Sequence, residues 1–166
     1  MTFFGAVLMT LAPLTVATAA DLLVYVGTYT KGASKGIYGY RFQTATGRLK
    51  PLGVKFEMSS PSFLALHPNG RFLYAVAEDA GTADAFAIGA KSGKLDFLNQ
   101  VSSHGKGPCH LALDATGRWL AVANYESGHM ALFPVQPDGK LGEAVAVEQH
   151  TGSSVNQERQ KGPHAH

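Results

Sequence analysis

The sequence predicts an all-β protein built from four-stranded antiparallel sheets, and three observations predict it. Glycine and proline supply 19 and 8 of the 166 residues, which disfavours long helices. Large apolar residues alternate with small or polar ones at period two, as in strands with one buried face. These alternating segments recur at fixed intervals along the chain. A helical repeat would instead show an apolar period of 3.6 residues.

One repeated unit is a strand followed by a tight turn, a basic residue and leucine. It occupies residues 36–49, 83–95 and 130–141, and its turn glycines are Gly47, Gly93 and Gly139, each 46 positions after the last. Thr, Ser or Asp precedes each glycine. Because glycine readily takes the positive φ that such turns need, each unit predicts a β-hairpin.

A second repeated unit interleaves with the first. Residues 61–78 recur as residues 108–125, an offset of 47, and in each copy two apolar strands flank a turn, at Gly70 and Gly117. Four strands in about 46 residues are typical of one blade of a β-propeller. Phe72 and Trp119 occupy matching positions and are expected to pack between blades.

The repeats correspond to about three blades. The first predicted strand, over residues 22–29, is not the first strand of a blade, so the chain enters the repeat partway through one. Propellers close with at least four blades. We therefore expect an incomplete ring, an N-terminal fragment of a propeller with open sheet edges and blade faces.

The first twenty residues form a separate segment. They carry no charged side chain, and an apolar run is followed by the small residues Ala17 to Ala20. This pattern predicts a secretory signal peptide over residues 1–20 and a propeller domain over residues 21–166. An uncleaved membrane anchor is the alternative, which Pro13 in the middle of the segment disfavours. We expect export to the periplasm or the cell exterior, with no membrane span after cleavage, and keep a cytoplasmic location as the alternative.

Composition excludes several classes of function. The formal net charge is +2 with scattered Lys and Arg, so no nucleic-acid partner is expected. The single cysteine, Cys109, forms no intrachain disulfide and no thiolate metal site. Motifs for covalent serine catalysis, zinc peptidases and phosphate-binding loops are missing, and we expect neither a cofactor nor a bound metal.

Several motifs follow one another in an order that resembles a known family. That family is the seven-bladed β-propeller lactonases, which include a bacterial 6-phosphogluconolactonase and a fungal carboxymuconate cyclase. The resemblance implies a small-molecule lactone as substrate and a chain that carries about three of seven blades. The motifs are Val-Gly-Thr-Tyr-Thr at 26–30, Gly-Ile-Tyr-Gly-Tyr at 36–40, Pro-Ser-Phe-Leu-Ala-Leu-His-Pro-Asn-Gly-Arg-Phe-Leu-Tyr at 61–74, Gly-Pro-Cys-His-Leu-Ala at 107–112, Val-Ala-Asn-Tyr at 122–125, Gly-Ser-Ser-Val-Asn at 152–156 and Gly-Pro-His-Ala-His at 162–166.

His164 and His166 are the candidate catalytic residues. They lie two positions apart on a predicted strand, which directs both side chains to one face. An imidazole can take a proton from water and return it to a leaving alkoxide, as lactone opening requires. The resemblance implies an active-site histidine in this segment, and we favour His164 slightly over His166. Two polar strand-end residues, or a His-x-His metal pair, are the alternatives.

A polar insertion precedes these histidines. Pro108 and Pro163 lie 55 positions apart, against 47 for the preceding pair, and the surplus falls between His150 and Gly162. Loops on a rigid scaffold often carry function. Arg159 could bind a carboxylate or phosphate of the substrate, and Asn156 could hydrogen-bond to it, although both residue types are also common in solvated turns.

These observations predict a lactone hydrolase in which a histidine-activated water attacks the ring carbonyl. The resemblance also implies an arginine and a glutamate in the blade after His166, so activity is not expected from these 166 residues alone. Export favours an unphosphorylated sugar lactone over a phosphorylated one. A non-catalytic exported propeller that binds a partner, and a carboxymuconate-type cycloisomerase, remain alternatives. The oligomeric state is not predicted.

Overall fold

The computed structural model describes residues 21–166, so the predicted signal peptide lies outside the described residues. No helix long and apolar enough to cross a membrane occurs in the described part of the chain. Its regular structure consists of β-strands, which are β1 (Asp21–Val26), β2 (Gly36–Gln43), β3 (Arg48–Glu57), β4 (Leu64–Leu66), β5 (Phe72–Ala77), β6 (Thr82–Ile88), β7 (Leu95–Ser102), β8 (Pro108–Leu113), β9 (Trp119–Asn124), β10 (His129–Pro134) and β11 (Ala146–Gln149).

The strands form three antiparallel sheets in chain order. The first sheet is β1-β2-β3, the second is β4-β5-β6-β7, and the third is β8-β9-β10-β11. Each sheet is a meander, so the predicted four-stranded blade is confirmed for the second and third sheets. The first sheet lacks a counterpart of β4 and β8, which we call the inner strands, within residues 21–166. The entry of the chain partway through a blade stays a prediction.

Tight turns tie each sheet to the one before it. Gly93 and Gly139 adopt φ values of 62° and 88°, as the repeat predicted. The hydroxyl of Tyr25 in the first sheet donates a hydrogen bond to the carbonyl of Gly93 in the second, at 3.0 Å. Tyr74 in the second sheet donates to Gly139 in the third, also at 3.0 Å. The same contact thus links successive sheets and fixes their spacing.

The apolar core lies between the sheets. Because neighbouring residues of a strand face opposite sides, β5 contributes to two cores and is buried along its whole length. Leu73 and Ala75 pack towards the first sheet, with Ile37, Phe86 and Leu95. The opposite face of the second sheet packs against the third, in a cluster comprising Phe72, Tyr74, Val76, Ala83, Ala85, Leu111, Leu120, Val122, Ala131, Phe133 and Leu141.

Trp119 departs from the expectation that it packs between blades. Phe72 is 5% exposed because the Gly139 turn of the third sheet lies against its ring. Trp119 occupies the matching position in the third sheet but is 38% exposed. No further sheet follows it within the described residues, so no turn covers the indole.

The segment from Pro163 to His166 was expected to be a strand, and this is wrong. Its backbone does not join a ladder, because no strand lies beside it in the described chain. The alternation persists nevertheless, since Ala165 is buried between two exposed histidines. The preceding polar insertion forms a loop, as predicted.

Candidate active site

The candidate residues lie at one end of the sheets, where the inner strands begin. Antiparallel pairing places Pro108, at the start of β8, opposite Asn124, at the end of β9. In the second sheet, the amide of Glu78 after β5 donates to the carbonyl of Ser60 before β4, at 3.2 Å. The Pro163–His166 segment reaches the same end, where it contacts Tyr125. We call this the site end of the sheets.

His164 is held on both sides of its ring. Its Nδ1 lies 2.8 Å from the carbonyl oxygen of Tyr125, and its Nε2 lies 2.6 Å from the carbonyl oxygen of Arg159. The imidazole also stacks on the Tyr125 ring, with centroids 4.3 Å apart. Carbonyl oxygens only accept hydrogen bonds, so the imidazole is the donor in these contacts. Both of its ring nitrogens point at backbone carbonyls, which restrains the side chain from two sides.

His166 has the opposite environment. Its side chain is exposed and makes no hydrogen bond to any described residue. The ring lies edge-to-face with Tyr125 at 6.3 Å and 6.4 Å from the ring of His110. His110 in turn packs on Phe63, with centroids 4.0 Å apart. His166 therefore lies beside the rings of Tyr125 and His110 and keeps its nitrogens available for a substrate or water.

An open cleft of about 340 Å³ adjoins His164. Arg159 and Lys161 of the insertion line it, together with the carboxylates of Glu126 and Glu158. Tyr125 also lines it. Arg159 and His164 thus line the same cleft, and the carbonyl oxygen of Arg159 contacts the His164 ring.

Asn156 organises the insertion loop. Its side-chain oxygen accepts hydrogen bonds from the amides of Glu158 and Arg159, both at 3.1 Å. The backbone N–H of Asn156 donates to the side-chain oxygen of Gln160 at 3.2 Å. This is a capped turn, in which the Asn156 oxygen is already used. The predicted substrate contact is left to the side-chain NH₂ group, which has no hydrogen-bond partner in the described residues.

Cys109 lies on β8, next to the histidine segment. Its thiol is within reach of two carbonyl acceptors, Ala165 at 3.6 Å and Ala123 at 3.8 Å. Burial and the nearby negative charge of Glu78 raise the pKa of Cys109. The thiol is therefore protonated at neutral pH and is not a nucleophile.

Metal binding was an alternative role for the histidine pair. No group of three or more His, Cys, Asp or Glu side chains within residues 21–166 is arranged to hold a metal ion. Both nitrogens of His164 are turned towards carbonyl oxygens, which leaves neither directed at a shared point with His166.

Two aromatic residues of the site were missed by sequence reasoning. Tyr125 contacts both candidate histidines. Hydrogen bonding with Glu78, burial and the negative charge of Glu78 all raise the pKa of Tyr29. Hydrogen bonding with Ser62 lowers it. The repeat register contained the signal for both. Tyr29 lies four positions after Tyr25, and Glu78 lies four positions after Tyr74; both Tyr25 and Tyr74 contact the next sheet. Tyr125 occupies the position of Glu78 in the following unit.

Comparison with known proteins gives a consistent result. A family model described as "Lactonase, 7-bladed beta-propeller" matches residues 23–166. A 6-phosphogluconolactonase of Bacillus subtilis is 39% identical over 144 residues, covering 86% of this chain and 41% of its own. The crystal structure of a candidate 6-phosphogluconolactonase from Bacteroides fragilis is similar with a TM-score of 0.82 and 38% identity, covering 92% of this chain and 42% of that one.

A periplasmic gluconolactonase of Pseudomonas aeruginosa is also similar. Its structure matches with a TM-score of 0.75 and 38% identity over 82% of this chain and 40% of that protein. The chain thus spans about two fifths of the length of each of these three proteins.

Proposed function

Since the chain belongs to the seven-bladed β-propeller lactonase family, we propose that the full-length protein is a lactone hydrolase, a carboxylic ester hydrolase that opens a sugar-type lactone ring. His166 acts as the base. The observation that carries this assignment is its exposed imidazole, which has no hydrogen-bond partner in the described residues and faces the site end beside Tyr125.

The reaction needs one proton to move twice. His166 takes a proton from water, and the oxygen of that water forms a bond to the ring carbonyl carbon. The bond between that carbon and the ring oxygen then breaks, and the protonated imidazole returns its proton to the departing alkoxide. Lactone and water are converted into a hydroxy acid, and His166 regains its neutral state. No oxidant, reductant or cofactor enters this balance.

His164 acts as a positioning residue in this proposal. Its two contacts, to the carbonyls of Tyr125 and Arg159, tie the insertion loop to the third sheet. Because Ala165 joins the two histidines directly, this tie also fixes where the backbone of His166 lies. The slight sequence preference for His164 as the catalytic residue is therefore replaced by a division of roles.

The substrate class follows from the cleft and from the predicted export. Arg159 and Lys161 line the cleft beside His164 and offer charge to the carboxylate that forms when the ring opens. We propose export through residues 1–20 and an unphosphorylated sugar lactone as substrate. Similarity to a protein described as a periplasmic gluconolactonase supports both parts of this proposal.

The test is lactone hydrolysis by the full-length protein, followed in a pH-stat with D-glucono-1,5-lactone and its 6-phosphate. His166→Gln is expected to lower kcat/KM by about 10²–10⁴-fold, the usual contribution of a general base. His164→Gln is expected to lower it by about tenfold, because it disturbs position and not proton transfer. The pH profile separates the roles: the limb that reports histidine deprotonation disappears in the first variant and remains in the second.

His150→Gln is the matched control, because His150 is an exposed histidine that lines neither cleft, and its side chain makes no hydrogen bond or ring contact in the described residues. It should leave kcat/KM unchanged. If neither lactone is hydrolysed above the buffer rate, the proposal is wrong. If His166→Gln retains both its rate and its pH profile, the base lies elsewhere.

A further inference from the structure

A second group of polar side chains lies at the site end, one sheet away from the histidines. Tyr29 follows β1, Ser62 precedes β4, and Glu78 follows β5. The Ser62 Oγ and Glu78 Oε2 atoms are buried and have no hydrogen-bond partner in the described structure. Tyr29, which is 59% exposed, lies within interaction range of both Glu78 and Ser62. Two buried polar atoms beside Tyr29 therefore lack a hydrogen-bond partner.

The neighbouring carboxylate shows that this is not a general property of the region. Asp79 accepts hydrogen bonds from Ser60 at 2.6 Å and Ser59 at 3.1 Å, and it lies 3.8 Å from the ammonium group of Lys31. Asp79 is thus fully engaged in holding its loop. Glu78 differs because one of its oxygens is withdrawn from water and still lacks a donor, which is costly unless a ligand supplies one.

A hydroxyl group supplies what Glu78 and Ser62 lack. It can donate its proton to Glu78 and accept a hydrogen bond from Tyr29 or Ser62. Interaction with Glu78 and burial raise the pKa of Tyr29, so its phenol keeps its proton and remains a donor at neutral pH. Because the Tyr29 side chain is largely exposed, it can move aside to admit such a group.

The surroundings suit a polyhydroxylated ring. Glu78 lines a cleft of about 400 Å³ whose walls include Lys31, Lys106 and Glu126. Glu126 also lines the cleft beside His164, so the two clefts adjoin. Cys109 bridges them at the inner strands: its thiol contacts the carbonyl of Ala165, next to His166, and senses the charge of Glu78.

We propose that Glu78, with Tyr29 and Ser62, forms the subsite that binds the ring hydroxyls of a polyhydroxylated lactone and thereby sets specificity for sugar lactones over unsubstituted ones. This inference rests on the proposed function, because it assumes that the ring carbonyl lies at His166.

The test measures binding of two non-hydrolysable rings to the full-length protein by calorimetry. D-glucono-1,5-lactam carries the hydroxyls, and 2-piperidinone is the same ring without them. Glu78→Gln is expected to weaken binding of the glucono-lactam about tenfold, because a hydrogen bond to a charged acceptor is lost. Tyr29→Phe is expected to weaken it about fivefold. Binding of 2-piperidinone should change by less than about twofold in both variants.

Glu143→Gln is the matched control, since Glu143 is an exposed carboxylate in the connection between β10 and β11. Tyr29→Phe guards against misfolding, because the side chain is largely exposed. Failure of the wild-type protein to bind the glucono-lactam, or unchanged affinity in Glu78→Gln, would overturn the inference. Glu78-dependent binding without hydrolysis of either lactone would support the subsite and reject the proposed hydrolase, so the two failures are distinguishable.

Discussion

Replacing Tyr74 by phenylalanine tests whether the hydroxyl contacts between sheets hold the blades together. The Tyr74 side chain is fully buried, and its hydroxyl donates to the carbonyl of Gly139 at 3.0 Å. A buried hydrogen bond contributes about 1 kcal/mol net, and a buried carbonyl left without a donor costs about 1–3 kcal/mol. We therefore expect Tyr74→Phe to lower the free energy of unfolding by about 1–2 kcal/mol and Tm by about 3–6 °C.

The assay is urea unfolding followed by circular dichroism, with the m-value checked for constancy. Tyr40→Phe is the control, because the Tyr40 hydroxyl makes no hydrogen bond in the described residues, and its effect should stay within about 0.5 kcal/mol. Equal losses in the two variants, or no loss in Tyr74→Phe, would show that the Tyr74 hydroxyl does not help to join the second and third sheets.

Three further predictions concern turns and the thiol. Hydrogen bonds lower the pKa of Asp114 to about 2. The contribution of Asp114 to stability is therefore complete above its ordinary pKa of 3.8 and is lost as pH falls from there towards 2. In urea unfolding, the free energy of unfolding of Asp114→Asn should fall less over this pH range than that of the wild type. Gly139→Ala should lower the free energy of unfolding by about 2–4 kcal/mol, because φ is 88° and the new Cβ would lie 2.3 Å from the Phe72 ring. Gly47→Ala, with φ of 69° but open space around it, should cost only about 1 kcal/mol in the same assay. At pH 7.5, Cys109 should react with a disulfide reagent at least about tenfold more slowly in the folded chain than in urea, since its pKa is raised and the side chain is half-buried.

The repeat made most of the fold predictable. Equal spacing of Gly47, Gly93 and Gly139 located the hairpin turns, and period-two alternation located the strands on either side. The spacing could not predict which residues contact another sheet. Trp119 repeats Phe72 in sequence, yet its burial depends on a turn from another sheet, which is a non-local contact. Likewise the Pro163–His166 segment carries a strand pattern without a pairing partner in the described chain.

The candidate site was predictable as a location but not as a set of roles. The histidine motif and the insertion indicated where His164, His166 and Arg159 would meet. The hydrogen-bond partners of His164 are backbone carbonyls, which have no sequence signature, so its restraint was visible only in three dimensions. Tyr125 was recognisable as a register match for Glu78, but its stacking on a distant histidine depends on how the insertion folds back.

Burial of β5 on both faces has a consequence for how the chain opens. Every residue from Phe72 to Ala77 is covered by a neighbouring sheet on one side or the other. Backbone amides there lie in a buried strand that pairs with β4 and β6, so they exchange with deuterated solvent only when this part of the core opens, whereas β3 and β11 are mostly exposed and can open alone. The middle layer should therefore act as the slowest-exchanging unit, and its protection should report cooperative unfolding of all three.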